Sequence, residues 1–87
     1  MKYQLELFYF PECPYCQIVL DAISRYGLGK YIELLHINEN PNFAKRLMED
    51  TGRRTVPCLY INNKPMHESR DIANWLAKNS QEIINGN

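Results

Sequence analysis

An 87-residue chain with 45% apolar residues and 11% aromatics suffices for one small core, near the lower end of sizes that fold without staples. Ten basic and ten acidic residues cancel, so no global field favours nucleic acid or an anionic membrane surface. No window approaches the roughly 18 apolar residues of a membrane span. Three cysteines are an odd number for a stapled secreted domain. The segment from Met1 to Phe10 carries Glu6 and has no small-residue cleavage site after it. No repeat, low-complexity tract or linker interrupts the chain. The expectation is a single cytoplasmic, monomeric unit covering residues 1–87.

In chain order, Leu5-Glu6-Leu7-Phe8-Tyr9-Phe10 is short, mostly apolar and closed by Pro11, which predicts a strand. Ile18, Val19, Ala22, Ile23 and Tyr26 then recur at helical spacing, with Pro14 suited to the first turn and Gly27 to the stop. Tyr31 to Ile37 predicts a second strand. Strand, helix, strand makes a βαβ unit, whose crossover is right-handed and whose strands run parallel. Asn42 is the expected cap of a second helix that buries Phe43, Ala44, Leu47 and Met48 and ends at Gly52. Cys58-Leu59-Tyr60-Ile61 reads as a strand, and Asn62-Asn63 tolerates the positive φ of a tight hairpin. The returning strand, Lys64 to Met66, contains Pro65, which has no N–H to give a ladder and so belongs at an edge. Ser69 is the expected cap of a last helix that buries Ile72, Trp75 and Leu76, with Asp71 in its first turn. The order is βαβαββα, an α/β fold with a four-stranded mixed sheet flanked by helices, of thioredoxin-like shape.

The chemistry centres on Cys13-Pro14-Tyr15-Cys16, which follows the first strand and opens the first helix. Unpaired amides at a helix start carry partial positive charge and favour thiolate over thiol at Cys13. Cys13 is then the exposed nucleophile, and Cys16, one turn deeper, can close a ring onto the same sulfur. Pro14 stiffens the link and Tyr15 adds a bulky cover. The implied reaction is thiol–disulfide exchange through a mixed disulfide. Two duller readings compete. A zinc site would need Cys58, His36 or His67 to complete it, but structural zinc usually wants a second, similarly spaced ligand pair, and no metal is expected. A purely structural disulfide across four residues would constrain little of the unfolded chain.

Phe10-Pro11-Glu12-Cys13-Pro14-Tyr15-Cys16 resembles the active-site stretch of glutaredoxins, and Gly52 followed by Thr55-Val56-Pro57 resembles that family's second signature. Ser69 and Asp71 fall where its third motif begins the last helix. The resemblance covers essentially the whole chain. It implies a glutathione-dependent oxidoreductase that reduces protein disulfides and glutathione mixed disulfides, with Cys13 as nucleophile and Cys16 as resolving thiol. Glutathione is the implied reductant and the only organic cofactor. The implied partners are glutathione and disulfide-bonded or glutathionylated proteins. The resemblance also implies a cis bond at Pro57, turning the Val56 backbone toward the cysteinyl part of glutathione.

For the rest of glutathione, the implied contacts are Tyr15, Arg54, Thr55, Val56, Pro57, Glu68 and Ser69. Here the chain departs from the family pattern. His67-Glu68 stands where Gly-Gly is usual, Arg70 replaces an acid, and Pro11-Glu12 occupies the place of a common lysine. Glu68-Ser69 instead resembles the glutathione-reading turn of glutathione transferases, where the acid meets the γ-glutamyl amine. Arg53, Arg54, Lys45 and Arg46 are the cations at hand for the glycyl carboxylate, with Arg54 the chosen one. Cys58 is expected to be a buried thiol, Trp75 a core residue, and neither histidine a proton carrier. Two other functions stay open: a disulfide reductase fed by a flavin reductase of the thioredoxin type, and an iron–sulfur carrier that uses Cys13 with glutathione.

Overall fold

The computed structural model describes residues 2–86, so the ends of the 1–87 unit read from the sequence, Met1 and Asn87, lie outside the described residues. Strand β1 (Leu5–Tyr9) leads through helix α1 (Pro14–Arg25) and a 3-10 turn at Gly29–Tyr31 into β2 (Ile32–His36). Helix α2 (Pro41–Thr51), the hairpin of β3 (Cys58–Ile61) and β4 (Lys64–Met66), and helix α3 (Ser69–Gly86) complete the order. The sheet runs β2-β1-β3-β4, with β1 parallel to β2 and antiparallel to β3. Strand β4 pairs antiparallel with β3 at the edge, where Pro65 was expected to lie. Asn62 and Asn63, at φ 50° and 70°, make the turn between them. The fold is thioredoxin-like.

β1 lies between two neighbours and is covered on both sides, so nearly all of it is buried. Leu5 and Leu7 face α1 and α3, packing with Val19, Ile23, Leu59, Ile72, Leu76 and Ile83. Phe8 faces the other way, into a second cluster with Leu35, Ile37, Ala44, Leu47, Cys58 and Tyr60 under α2. This alternation follows from the period of two along a strand. Among the described residues no helix is long and apolar enough to cross a membrane.

Two helix starts differ from expectation. Asn40, not Asn42, caps α2: its side chain accepts the Asn42 amide at 2.9 Å, and Pro41 takes the first helical position. Proline has no N–H to leave unpaired there, so the residue before it is the natural cap. At α3, Ser69 is the first helical residue rather than the cap. Glu68 stands in the cap position, its carbonyl accepting the Ile72 amide at 3.0 Å.

Glu6 points to the α2 face and is only 8% exposed. Arg46 satisfies it bidentately, with both guanidinium nitrogens 2.9 Å from the two carboxylate oxygens. The guanidinium also lies 4.7 Å from the Tyr60 ring centroid and 5.3 Å from that of Phe8. Asp50 joins through Arg46 Nε at 3.7 Å and accepts the Tyr60 hydroxyl at 3.0 Å. This polar network rivets α2 onto the centre of the sheet, beside an apolar cluster of modest size. The Arg46 hydrogen bonds hold the Glu6 carboxyl below its ordinary value of 4.5, against the opposing effect of burial.

A carboxyl with a depressed folded pKa contributes stability above its unfolded value and loses it as pH falls through the folded one. Glu6→Gln should therefore cost about 1–2 kcal/mol at neutral pH, discounted because the Arg46 side chain is 36% exposed. Urea unfolding at stepped pH checks this: the gap between wild type and variant should close as pH drops below about 4.5.

Candidate active site

Cys13 stands at the carboxyl end of β1 as the cap residue of α1, with extended backbone at φ −79° and ψ 120°. No side chain caps this helix by a hydrogen bond and no acid sits in its first turn. The free amides of the first turn are thus left without a competing carboxylate. Pro14 takes the first helical position, as its missing N–H allows. Cys13 is 8% exposed, more covered than the open nucleophile expected from the sequence, and Cys16 is wholly buried. The Cys13 amide donates to the Phe10 carbonyl at 3.2 Å, closing a turn just before the helix.

All three cysteines are free thiols. Burial pushes Cys16 up to about 11; the Phe10 backbone amide works the other way, and the neighbouring Cys13 sulfur adds to the rise by accepting from the Cys16 thiol. A thiol in that state is protonated at neutral pH and holds a hydrogen toward Cys13.

Beside the helix start lies a hollow of about 480 Å³ lined by Tyr15, Thr55, Val56, Pro57, Glu68, Ser69, Arg70 and Asp71. The Val56–Pro57 bond is cis. Of the residues singled out for glutathione, six line this one hollow. Arg54 does not: it lines an adjoining hollow of about 500 Å³ with Lys45, Met48 and Ile37. Arg46, tied to Glu6 and Asp50, faces away from both. Tyr15 is 64% exposed, a large aromatic surface at the rim. A third hollow, about 570 Å³, opens at the opposite end of the sheet between Tyr3–Glu6 and Lys30–Glu33. None of the three has a cysteine in its lining; the first is set apart by Tyr15, which lies between Cys13 and Cys16 in the chain. Size alone does not choose the site.

Glu68 adopts φ 73°, in the left-handed region where a side chain is strained. The family pattern has glycine in this stretch; here an exposed carboxylate is held there instead, between the edge strand and α3. Such outliers persist only where the surrounding structure holds them in place. The lining mixes signs, with Glu68 and Asp71 against Arg70 and the amino terminus of α3. A zwitterion suits that mixture better than a simple anion does.

Cys58, directly after Pro57, is fully buried, and burial pushes its thiol up to about 11. Its sulfur lies 3.9 Å from His67 Nε2, while His67 Nδ1 is buried without a hydrogen-bond partner. Burial first, and the charge of Arg53 second, lower the His67 pKa, which keeps the ring neutral. Among the described residues no three His, Cys, Asp or Glu side chains gather into a metal-binding group. His36 accepts the Asn38 amide on Nδ1 at 3.2 Å and packs edge-on against Tyr9. Sequence reasoning passed over Gln17, whose side chain donates to the Pro11 carbonyl at 2.7 Å. The adjacency of Gln17 to Cys16 was its only signal.

Comparisons with known proteins bear on the family and the fold. The glutaredoxin family model matches residues 5–66. A glutaredoxin from Vernicia fordii is 38% identical over 53 residues, which is 60% of this chain and 51% of that protein. Glutaredoxin-1 from Homo sapiens is 30% identical over 59 residues, 63% of this chain and 56% of that protein. The chain thus spans about half the length of the curated relatives it matches. Oxidized glutaredoxin 2 from Chlamydomonas reinhardtii superposes with a TM-score of 0.69 at 22% identity, covering 97% of this chain and 81% of that one. Wheat glutaredoxin gives 0.64 at 26% identity over 86% and 71%. With more than half of its length matched by the family model, and with the fold to go with it, this chain belongs to the glutaredoxin family.

Proposed function

We propose that this chain is a glutathione-dependent thiol–disulfide oxidoreductase in which Cys13 is the nucleophile and Cys16 the resolving thiol. The observation that carries the reading is the dithiol at the start of α1 beside a hollow bounded by Val56, Pro57 and the first residues of α3. Cys13 stands at a helix start, a setting that favours nucleophilic thiols, and the Cys16 S–H hydrogen-bonds to its sulfur. Cys16, with its pKa up at about 11, stays protonated and does not compete for substrate.

The thiolate attacks one sulfur of a substrate disulfide; that S–S bond breaks, a mixed disulfide forms on Cys13, and the departing sulfur takes a proton. With a glutathione mixed disulfide as substrate, the protein thiol leaves and glutathione stays on Cys13. A second glutathione then attacks, releasing glutathione disulfide and restoring the Cys13 thiolate. With a protein disulfide, Cys16 loses its proton, attacks Cys13 and releases the reduced protein. Two glutathiones then reduce the Cys13–Cys16 bond.

In this reading the Val56 backbone pairs with the cysteinyl segment of glutathione, as in a very short strand addition. Tyr15, Thr55 and Pro57 form the walls. The γ-glutamyl carboxylate takes the amino end of α3 at Ser69, and the γ-glutamyl ammonium takes Glu68. The glycyl carboxylate reaches Arg54 in the adjoining hollow, with Lys45 beside it. Glutathione, disulfide-bonded proteins and glutathionylated proteins are the proposed partners.

Cys16→Ser should keep the reduction of glutathione mixed disulfides and lose that of protein disulfides, because only the second route needs a resolving thiol. Parallel assays on a glutathionylated peptide and on an intramolecular protein disulfide check this; loss of both activities would refute the division of labour. Glu68→Gly should separate stability from binding. Removing a left-handed side chain should raise stability by about 0.5–1 kcal/mol. Loss of the carboxylate should raise the KM for glutathione roughly tenfold, the scale of one charge-assisted hydrogen bond. Thermal unfolding and steady-state kinetics measure the two effects.

A further inference from the structure

Gln17 follows Cys16 in α1, is exposed, and grips the loop before Cys13 twice. Its backbone N–H donates to the Cys13 carbonyl at 3.1 Å, the first bond of the helix. Its side-chain Nε2 donates to the Pro11 carbonyl at 2.7 Å. Between these points the Cys13 amide closes the turn onto the Phe10 carbonyl at 3.2 Å. The same turn faces the second sulfur as well, because the Phe10 backbone amide is the group that partly offsets the effect of burial on Cys16. The turn from Phe10 to Cys13 thus carries one sulfur on its last residue and touches the other through its first.

A turn at the end of a strand, with exposed Glu12 at its tip, would by itself exchange its carbonyl bonds with water. The Gln17 amide replaces that exchange with a fixed tie to a rigid helix. A helix start favours a thiolate only while the sulfur stays within reach of the first-turn amides, since the effect falls off within one turn. Holding the turn is therefore a way of holding Cys13 at the helix start. We propose that Gln17 is a positioning residue for the dithiol: its side-chain amide latches the Phe10–Cys13 turn to α1 and so fixes Cys13, the cap residue, at the start of that helix. This rests on the reading of Cys13 and Cys16 as the reacting pair.

Gln17→Met tests it. Methionine has similar length and helix propensity but no donor, so the melting temperature should fall by no more than the few degrees that one hydrogen bond is worth in a domain of this size. Hydrogen exchange at the Cys13 amide should speed up by about three- to tenfold, the scale set by one hydrogen bond. Iodoacetamide alkylation of Cys13 at pH 7 should slow by a similar factor, and the two proteins should converge in alkaline solution, where thiolate forms without help from the helix. A change in mere accessibility would slow alkylation equally at every pH and would overturn the proposal. So would unchanged amide exchange together with unchanged alkylation at pH 7. Should wild-type Cys13 alkylate no faster than free cysteine, the proposed function is what fails, and amide exchange alone then decides whether the latch exists.

Discussion

Cys13 caps α1, where first-turn amides have no helical acceptor, while Cys16 lies one turn inside, sealed from solvent. Burial opposes charge on the inner sulfur, and the Cys16 thiol has a hydrogen to offer Cys13. The proposed reaction needs the two thiols to differ, since two equally reactive ones would compete for the same substrate. The rest of the structure serves to put this helix start at the mouth of a hollow that the start of α3 also lines.

Sheet and helices share that task. β1 delivers the chain to Cys13, and its neighbour β3 begins one residue after Pro57, so two adjacent strands bring both halves of the hollow to one end of the sheet. α1 and α3 pack together on one face over the larger apolar cluster, which sets the amino end of α3 beside the dithiol. On the opposite face the Glu6–Arg46 pair and the mutually tilted rings of Phe8 and Tyr60, centroids 4.8 Å apart, keep α2 in place. That helix leads into the residues before Val56, so a polar clamp remote from the sulfurs helps to set the wall of the hollow.

Much of this was legible in the sequence because its signals are local. Gly27 and Gly52 mark helix ends, Asn62-Asn63 a tight turn, and Pro65 an edge, and each acts within a few residues of itself. The Cys-Pro-Tyr-Cys stretch is equally local. What escaped depends on contacts between distant segments. Glu6 looked like a stray acid in an apolar strand, and its partner Arg46 looked like one of several available cations; only the folded sheet brings them together. The burial of Cys13, only 8% exposed, is likewise not encoded by spacing. The cap of α2 was misplaced by two residues although Pro41 signalled it, since proline at the first helical position points to the residue before. At α3, the left-handed backbone of Glu68 shifted the cap from Ser69, and no local propensity favours a glutamate there.

The central claim is the inequality of the sulfurs, and mass-mapped alkylation of the native protein at neutral pH measures it most directly. The account predicts that Cys13 reacts faster than free cysteine while Cys16 and Cys58, both raised to about 11 by burial, remain unlabelled over the same interval. Labelling of Cys13 no faster than free cysteine, or of all three thiols at one rate, would contradict it.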